Sequence, residues 1–115
     1  MRRGDIRIVD LDPVVGTEAN KQRPAIIVSN DGANLTAARL GRGVLTIVPL
    51  TSNTERVHPF QVLLEADAIG LKDDCKAQAE QVRSVDVQRI GARLGSVPAR
   101  LMEDLDEALR LHLAL

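Results

Sequence analysis

The sequence is almost without aromatic side chains. Phe60 is the only member of the Phe, Trp and Tyr group among 115 residues. Proteins that hold single-stranded nucleic acid usually stack its bases on such rings. Any recognition of bases by this chain must therefore depend on hydrogen bonds and on the shape of its loops.

Cysteine and histidine are also scarce. The single cysteine, Cys75, cannot form an internal disulfide, and no Cys/His cluster has the spacing of a zinc site. A Gly-rich phosphate loop, His-Glu-x-x-His, Cys-x-x-Cys and a Gly-x-Ser-x-Gly elbow are absent. Asp73 and Asp74 could form a metal pair, but adjacent strand residues point to opposite faces, which favours an exposed turn. The sequence predicts neither a metal nor a cofactor.

Long apolar runs are missing as well. No run approaches 18 residues, so we expect no membrane span, and no apolar segment follows Arg2 and Arg3 as it would in a signal peptide. We therefore expect a cytoplasmic protein. The net charge is −1, with eight basic and six acidic side chains in residues 1–60 against seven and ten in residues 61–115. A nucleic-acid site would be a local patch, more readily built from the first half.

The length and patterning predict one domain over residues 1–115. Its predicted order is strands, a small helix, more strands and a terminal helix, which favours an α+β fold with a mainly antiparallel sheet or small barrel. The predicted strands cover residues 6–9, 25–28, 44–48 (closed by Pro49), 60–65, the region of 76–85 and 90–97, with bends at Gly91 and Gly95. Polar loops are predicted at 13–23 and 51–58, and a short helix at 33–40, capped from 29–32.

The terminal helix has the clearest pattern. Pro98 suits its first turn. Apolar positions recur at spacings of three and four, with acidic residues on the opposite side. The stripe comprises Leu101, Met102, Leu105, Ala108, Leu109, His112 and Leu113. Leu111 and Leu115 make its end apolar nearly all round, so we expect the helix to pack on the sheet and its end also to contact a second subunit. His112 is expected to be a packed histidine.

Two polar stretches border the most buried-looking strands. Arg23 enters one strand, while Thr51, Ser52 and Asn53 follow the other. Parallel or antiparallel neighbours would both bring these groups together, and an arginine facing hydroxyl and amide groups suits a phosphate. Pairing of Arg23 with Glu18 or with an aspartate, and a simple turn at 51–53, explain the same residues. The residue types alone leave both interpretations open.

At these residues the sequence resembles the MazF/PemK family of toxin endoribonucleases. The resemblance runs the whole length, in short pieces whose order and spacing are together specific. They are Arg3-Gly-Asp-Ile6, Asp10-Leu-Asp-Pro13, Gly16-Thr-Glu18, Gln22-Arg-Pro-Ala25, Ile27-Val-Ser-Asn30, Val48-Pro-Leu-Thr-Ser-Asn53, Pro59-Phe-Gln-Val62, Ala79-Glu-Gln-Val-Arg-Ser84 and Gly95-Ser-Val97. Members of the family often have aromatic residues in the first strand, where this chain has Arg7-Ile8.

The resemblance implies a compact SH3-like barrel with a C-terminal helix, acting as a homodimer. It implies sequence-specific, metal-independent cleavage of single-stranded RNA, and inhibition by a partner antitoxin through which operator DNA is bound. The catalytic positions of the family fall on Arg23 and Thr51. Its RNA-binding positions fall on Glu18, Asn20, Ser52, Asn53 and Gln81.

These residue types fit the implied chemistry. Attack of the 2′-hydroxyl on the neighbouring phosphate leaves a 2′,3′-cyclic phosphate and a 5′-hydroxyl. Because DNA lacks the 2′-hydroxyl, it cannot undergo this reaction. Arg23 can stabilise the charge that builds on the phosphate oxygens. Proton transfer stays open among Glu18, Arg23 and Thr51, since neither Arg nor Thr has an ordinary pKa near 7.

Two other functions remain as alternatives. The first is a non-enzymatic toxin on the same barrel that binds DNA gyrase, which would need the apolar terminal helix and neither Arg23 nor Thr51. The second, a co-repressor that binds DNA only through its antitoxin, is compatible with ribonuclease activity. His58, before Pro59 at a loop end, is a weaker candidate for a substrate contact.

Overall fold

The computed structural model describes residues 1–11, 16–17 and 21–115. Most of the predicted loop at 13–23, including the candidate residues Glu18 and Asn20, lies outside the described residues. The strands are β1 (Asp5–Asp10), β2 (Gln22–Ile27), β3 (Val44–Thr51), β4 (Gln61–Leu64), β5 (Cys75–Gln78), β6 (Arg83–Asp86) and β7 (Ile90–Ser96). The α-helices are α1 (Asp31–Leu40), α2 (Ala66–Ile69) and α3 (Ala99–Leu113).

The seven strands form one sheet whose neighbours run in the order β4-β5-β3-β2-β1-β7, with β6 paired to β3 beside this path. Every strand pair in it is antiparallel. The path is open, with β4 and β7 at its ends. The predicted α+β class, with a mainly antiparallel sheet and a C-terminal helix, is confirmed. No helix within the described ranges has the length and apolar character needed to cross a membrane.

The sheet has a core on each face. Ile26 of β2 pairs with Val48 of β3, and both belong to the cluster that packs against α3. The next pair, Ile27 and Ile47, belongs to a second cluster, which includes Ala37 of α1. Because alternate residues of a strand point to opposite faces, a strand covered on both sides needs a continuous apolar run. The continuous apolar run at 25–28 is buried on both faces through Ala25, Ile26 and Ile27, and in β3 Leu45, Ile47 and Val48 are buried.

β3 extends past Pro49, so the prediction that this proline closes the strand is wrong. On one side β3 pairs with β2, and Pro49 lies opposite Ala25. On the other side it pairs with β6 through residues 44–47 and with β5 only from Leu50 onward. Pro49 therefore lies where β3 changes partners, and its missing N–H removes no hydrogen bond from either ladder on that side.

Three further elements differ from the sequence expectations. The region 76–85 is two strands, β5 and β6, separated by a 3-10 turn at Ala79–Gln81. The short helix α2 was not predicted, because four residues are too few to show a helical period. α1 begins two residues earlier than predicted, and the Asn30 side chain caps it by accepting a hydrogen bond from the Ala33 N–H at 2.8 Å.

α3 buries one face on the sheet, as predicted, through Leu101, Met102, Leu105 and Ala108. Its last turn is exposed: Leu111 is 58% accessible and Leu113 49%. His112 is exposed too, so the expectation of a packed histidine is wrong. The helix continues beyond the sheet surface that covers its first three turns.

β7 approaches α2 closely at Gly95. A Cβ built there would lie 2.1 Å from the carbonyl oxygen of Ile69, which is a backbone atom and cannot turn aside. We expect Gly95→Ala to lower the free energy of unfolding by about 1–3 kcal/mol, the usual cost of overpacking. Urea denaturation measures it, with Ser96→Ala at the exposed neighbouring position as the control. Equal stability of the two variants would contradict the close approach.

Candidate active site

The antiparallel register brings Arg23 and Thr51 together. Ala25 pairs with Pro49 and Ile26 with Val48. Beyond the last of these pairs, Arg23 of β2 and Thr51 of β3 both line one cleft. On its other side Thr51 pairs with Lys76 of β5. Residues directly opposite one another project from the same face of a sheet. Thr51 and Lys76 thus project from the same face of the sheet.

A cleft of about 410 Å³ lies at this end of the sheet. β2 contributes Arg23 and Pro24 to its lining, and β3 contributes Leu50 and Thr51, followed by Ser52. The opposite wall is the segment 71–75, which leads into β5. Arg23 and Thr51 are both partly exposed, so their polar groups can reach a bound molecule. A guanidinium beside two hydroxyl groups is a set of hydrogen-bond donors suited to a phosphate.

The hydroxyl of Thr51 is held from within its own loop. Thr51 Oγ1 accepts a hydrogen bond from the Asn53 N–H at 3.3 Å, and Asn53 Oδ1 accepts one from the Glu55 N–H at 3.3 Å. Because the hydroxyl oxygen acts as an acceptor here, its own hydrogen can be donated elsewhere. The turn after β3 therefore contacts the Thr51 hydroxyl and leaves its hydrogen available for donation.

The other sequence-predicted site residues are divided. Ser52 lines the cleft, while Asn53 lies beyond it in the following turn. Gln81 does not line the cleft; it is half-buried in the 3-10 turn, and its Nε2 donates to the Thr17 carbonyl oxygen at 3.3 Å. That bond ties the turn to the first polar loop, in which Glu18 and Asn20 lie outside the described residues.

Sequence reasoning missed the wall at 71–75 as part of a site. It carries Lys72 and Asp73, which are exposed in a bend. Asp74 Oδ1 accepts a hydrogen bond from the Ala66 N–H at 2.8 Å, at the start of α2. The predicted exposed turn at Asp73-Asp74 is confirmed, and no group of three or more His, Cys, Asp or Glu side chains suited to a metal occurs in the described ranges.

His58 and Cys75 are the remaining reactive side chains near this region. The His58 ring stacks on the Phe60 ring with centroids 5.1 Å apart. Phe60 is the only Phe, Trp or Tyr of the chain, so one face of its ring is already occupied by His58. Cys75 is 5% accessible and borders the cleft. Burial, with a smaller contribution from the charge of Asp74, raises the pKa of its thiol to about 11. The thiol is therefore protonated at neutral pH and is a poor nucleophile.

Comparison with known proteins gives a consistent group of relatives. The family model described as "PemK-like, MazF-like toxin of type II toxin-antitoxin system" matches residues 2–113. The chain is 62% identical over 115 residues to the endoribonuclease MazF9 of Mycobacterium tuberculosis, covering 100% of this chain and 98% of the relative. It is 30% identical over 116 residues to the endoribonuclease EndoA of Bacillus subtilis, covering 100% and 96%.

Solved structures agree with the fold. A mycobacterial endoribonuclease in complex with its cognate antitoxin superposes with a TM-score of 0.77 at 25% identity, covering 100% of this chain and 96% of that one. MazF from Deinococcus radiodurans superposes with a TM-score of 0.82 at 24% identity, covering 100% and 97%. The sheet and terminal helix described above therefore have close structural counterparts.

The state of Cys75 can be tested by its reactivity. At pH 8 a thiol with a pKa near 11 is ionised about 10²-fold less than an ordinary one, so we expect native protein to react with a thiol reagent at least about that much more slowly than a free cysteine. The rate of disulfide exchange with a chromogenic reagent measures this. Denatured protein, in which burial is lost, is the control, and equal rates for native and denatured protein would contradict the burial.

Proposed function

The chain belongs to the family of PemK-like, MazF-like toxins of type II toxin–antitoxin systems and is an endoribonuclease toxin, and from this premise we propose that it cleaves single-stranded RNA in the cleft between β2, β3 and the segment 71–75. Arg23 and Thr51 are the proposed catalytic residues. One observation carries the proposal: Arg23 at the start of β2 and Thr51 at the end of β3, two antiparallel neighbours, line the same cleft. The proposed reaction uses no metal and no cofactor.

The proposed reaction is an in-line transfer within the RNA strand. The 2′-oxygen forms a bond to phosphorus as its proton leaves, the bond from phosphorus to the 5′-oxygen breaks, and the departing 5′-oxygen takes up a proton. The products are a 2′,3′-cyclic phosphate and a 5′-hydroxyl end. A fixed guanidinium next to the phosphate stabilises the charge that builds on its oxygens, and this is the role of Arg23.

Thr51 is suited to a donor role. Its oxygen already accepts the Asn53 N–H, so its hydrogen is available to a phosphate oxygen or to the leaving 5′-oxygen. Among Glu18, Arg23 and Thr51, the carboxylate of Glu18 has the chemistry best suited to accept the 2′-hydroxyl proton, because its ordinary pKa leaves it ionised at neutral pH.

RNA recognition is proposed to involve Glu18, Asn20, Ser52, Asn53 and Gln81. Ser52 and Asn53 are exposed after β3, and Gln81 reaches the first polar loop through Thr17. Hydroxyl and amide groups of this kind can bond to base edges and to the sugar–phosphate backbone. Stacking contributes little, because Phe60 is the one available aromatic residue and already stacks on His58.

The proposed partners are a cognate antitoxin and a second copy of the chain. The mycobacterial structural relative is in complex with its cognate antitoxin, and a relative from D. radiodurans is a MazE–MazF complex. For the homodimer, α3 and the edge strand β4 present Leu63, 45% accessible, and Leu111, 58% accessible, on either side of one groove. We further propose that operator DNA is bound only through the antitoxin, and that the protein acts in the cytoplasm.

The catalytic assignment is tested by cleavage of single-stranded RNA in EDTA. We expect Arg23→Ala and Thr51→Ala each to lower the rate by at least about 10²-fold, the scale for losing one electrostatic contact to the transition state. Arg39→Ala and Thr36→Ala on α1 are matched controls with exposed side chains outside the cleft, and should cleave at the wild-type rate.

Two results would overturn parts of the proposal. Undiminished cleavage by folded Arg23→Ala and Thr51→Ala would remove these residues from the catalytic site. Intact RNA together with trapped gyrase–DNA complexes would support the gyrase-binding toxin instead. Mapping the cleaved ends along a long RNA also checks for the cyclic phosphate and the 5′-hydroxyl.

The dimer is tested by sedimentation at micromolar concentration. We expect wild-type protein to sediment as a dimer and Leu111→Glu to shift it towards monomer, because a charge would be buried without a partner. Leu35→Glu on α1 is the matched control, since Leu35 is 57% accessible and outside the groove of β4 and α3. A wild-type monomer would contradict the proposal.

A further inference from the structure

Lys76 is a buried cation, which is unusual for lysine. It is 8% accessible, and only Asn34 and Gln61 share its class of buried polar side chain in the described part of the chain. Asn34 bonds to Ser29 and Gln61 bonds to Glu80, so both are held by neighbouring polar groups. Lys76 instead donates its ammonium to a main-chain carbonyl, that of Arg56.

Among the described residues, no carboxylate lies within ion-pair distance of Lys76, although Glu55 lines the same pocket. Arg3, Arg93 and Arg110, by contrast, each form an ion pair with a carboxylate. A carbonyl dipole is a weak substitute for a counter-ion, and an apolar side chain of the same length would cost less to bury. The position of Lys76 therefore suggests a role other than stability.

The carbonyl that Lys76 holds belongs to the loop after β3. Starting from Thr51, the Asn53 N–H bonds to the Thr51 hydroxyl and the Glu55 N–H bonds to the Asn53 side chain. The next residue is Arg56, whose carbonyl accepts from Lys76. Lys76 is the register partner of Thr51, so the loop leaves Thr51 and is tied back to the residue directly opposite it.

We propose that Lys76 is a positioning residue that anchors the loop 52–58 over β5 and so holds the Thr51 hydroxyl as a donor towards the cleft. The anchoring of the loop is independent of the proposed function, whereas its effect on cleavage rests on that function. Without the anchor, the Arg56 carbonyl would turn to solvent, and the hydrogen bonds donated by the Asn53 and Glu55 N–H groups would open more often. Small displacements of a reacting group are costly for catalysis.

The primary test is the steady-state kinetics of Lys76→Met, which keeps the length of the buried stem and removes the donor. We expect kcat to fall by about 10- to 10²-fold, as for a misplaced catalytic group, with KM unchanged. Arg39→Met is the control, because it removes one positive charge and introduces the same side chain at an exposed position of α1. It should match wild type.

Salt dependence separates positioning from direct contact with RNA. Loss of a contact to a backbone phosphate would weaken binding and flatten the plot of log Kd against log salt by about 0.7 per contact for a single strand. Loss of an anchor leaves that slope unchanged. A flattened slope with an unchanged kcat for Lys76→Met would overturn the positioning role, as would wild-type kinetics.

Amide hydrogen exchange tests the anchor without RNA. We expect the Asn53 and Glu55 amides to exchange faster in Lys76→Met than in wild type, while amides of β3 such as Ile47 keep their protection. Equal exchange in both proteins would refute the anchor. If wild-type protein left RNA intact, the proposed function would fail while this measurement still decided the anchor. Lys76→Gln, which keeps a polar group but is too short to reach the carbonyl, serves the same tests should Lys76→Met fail to fold.

Discussion

The antiparallel pairing of β2 with β3 organises both the core and the cleft of this protein. Its register sets Ile26 beside Val48 on the face covered by α3, and Ile27 beside Ile47 on the opposite face. Shifting the register by one residue would turn every side chain to the wrong face, so two cores hold it in place. At the end of this pairing, Arg23 and Thr51 line the same cleft.

The cleft forms where β3 exchanges one partner for another. Along residues 44–47 its outer neighbour is β6, and from Leu50 it is β5. Pro49 lies at this exchange. The segment 71–75, which leads into β5, forms one wall of the cleft, and Lys76 of β5 pairs with Thr51. The pairing of β3 with β5 therefore places both next to the end of β3. The catalytic arrangement proposed here depends on long-range strand pairing more than on any local motif.

Much of the fold could be predicted because its signals are local. The continuous apolar runs at 25–28 and 44–48 and the helical stripe of α3 each occur within one short segment. The predictions that were wrong concern features that depend on distant parts of the chain or on very short elements. The continuation of β3 past Pro49 depends on its pairing with β2 and β5. The exposure of His112 depends on where the sheet beneath α3 ends. Both are decided by residues far away in the sequence. α2 was missed because one helical turn carries no period.

The sequence by itself determined which side chains are available: Arg23 at the start of one buried strand, Thr51 at the end of another, and almost no aromatic surface for stacking. It could not determine whether those strands are parallel or antiparallel neighbours, since both arrangements satisfy the same local pattern. Tertiary structure decided that they are antiparallel. It also decided the burial of Lys76, because a lysine in a sequence predicts exposure and only the packing of the loop over β5 removes this one from water.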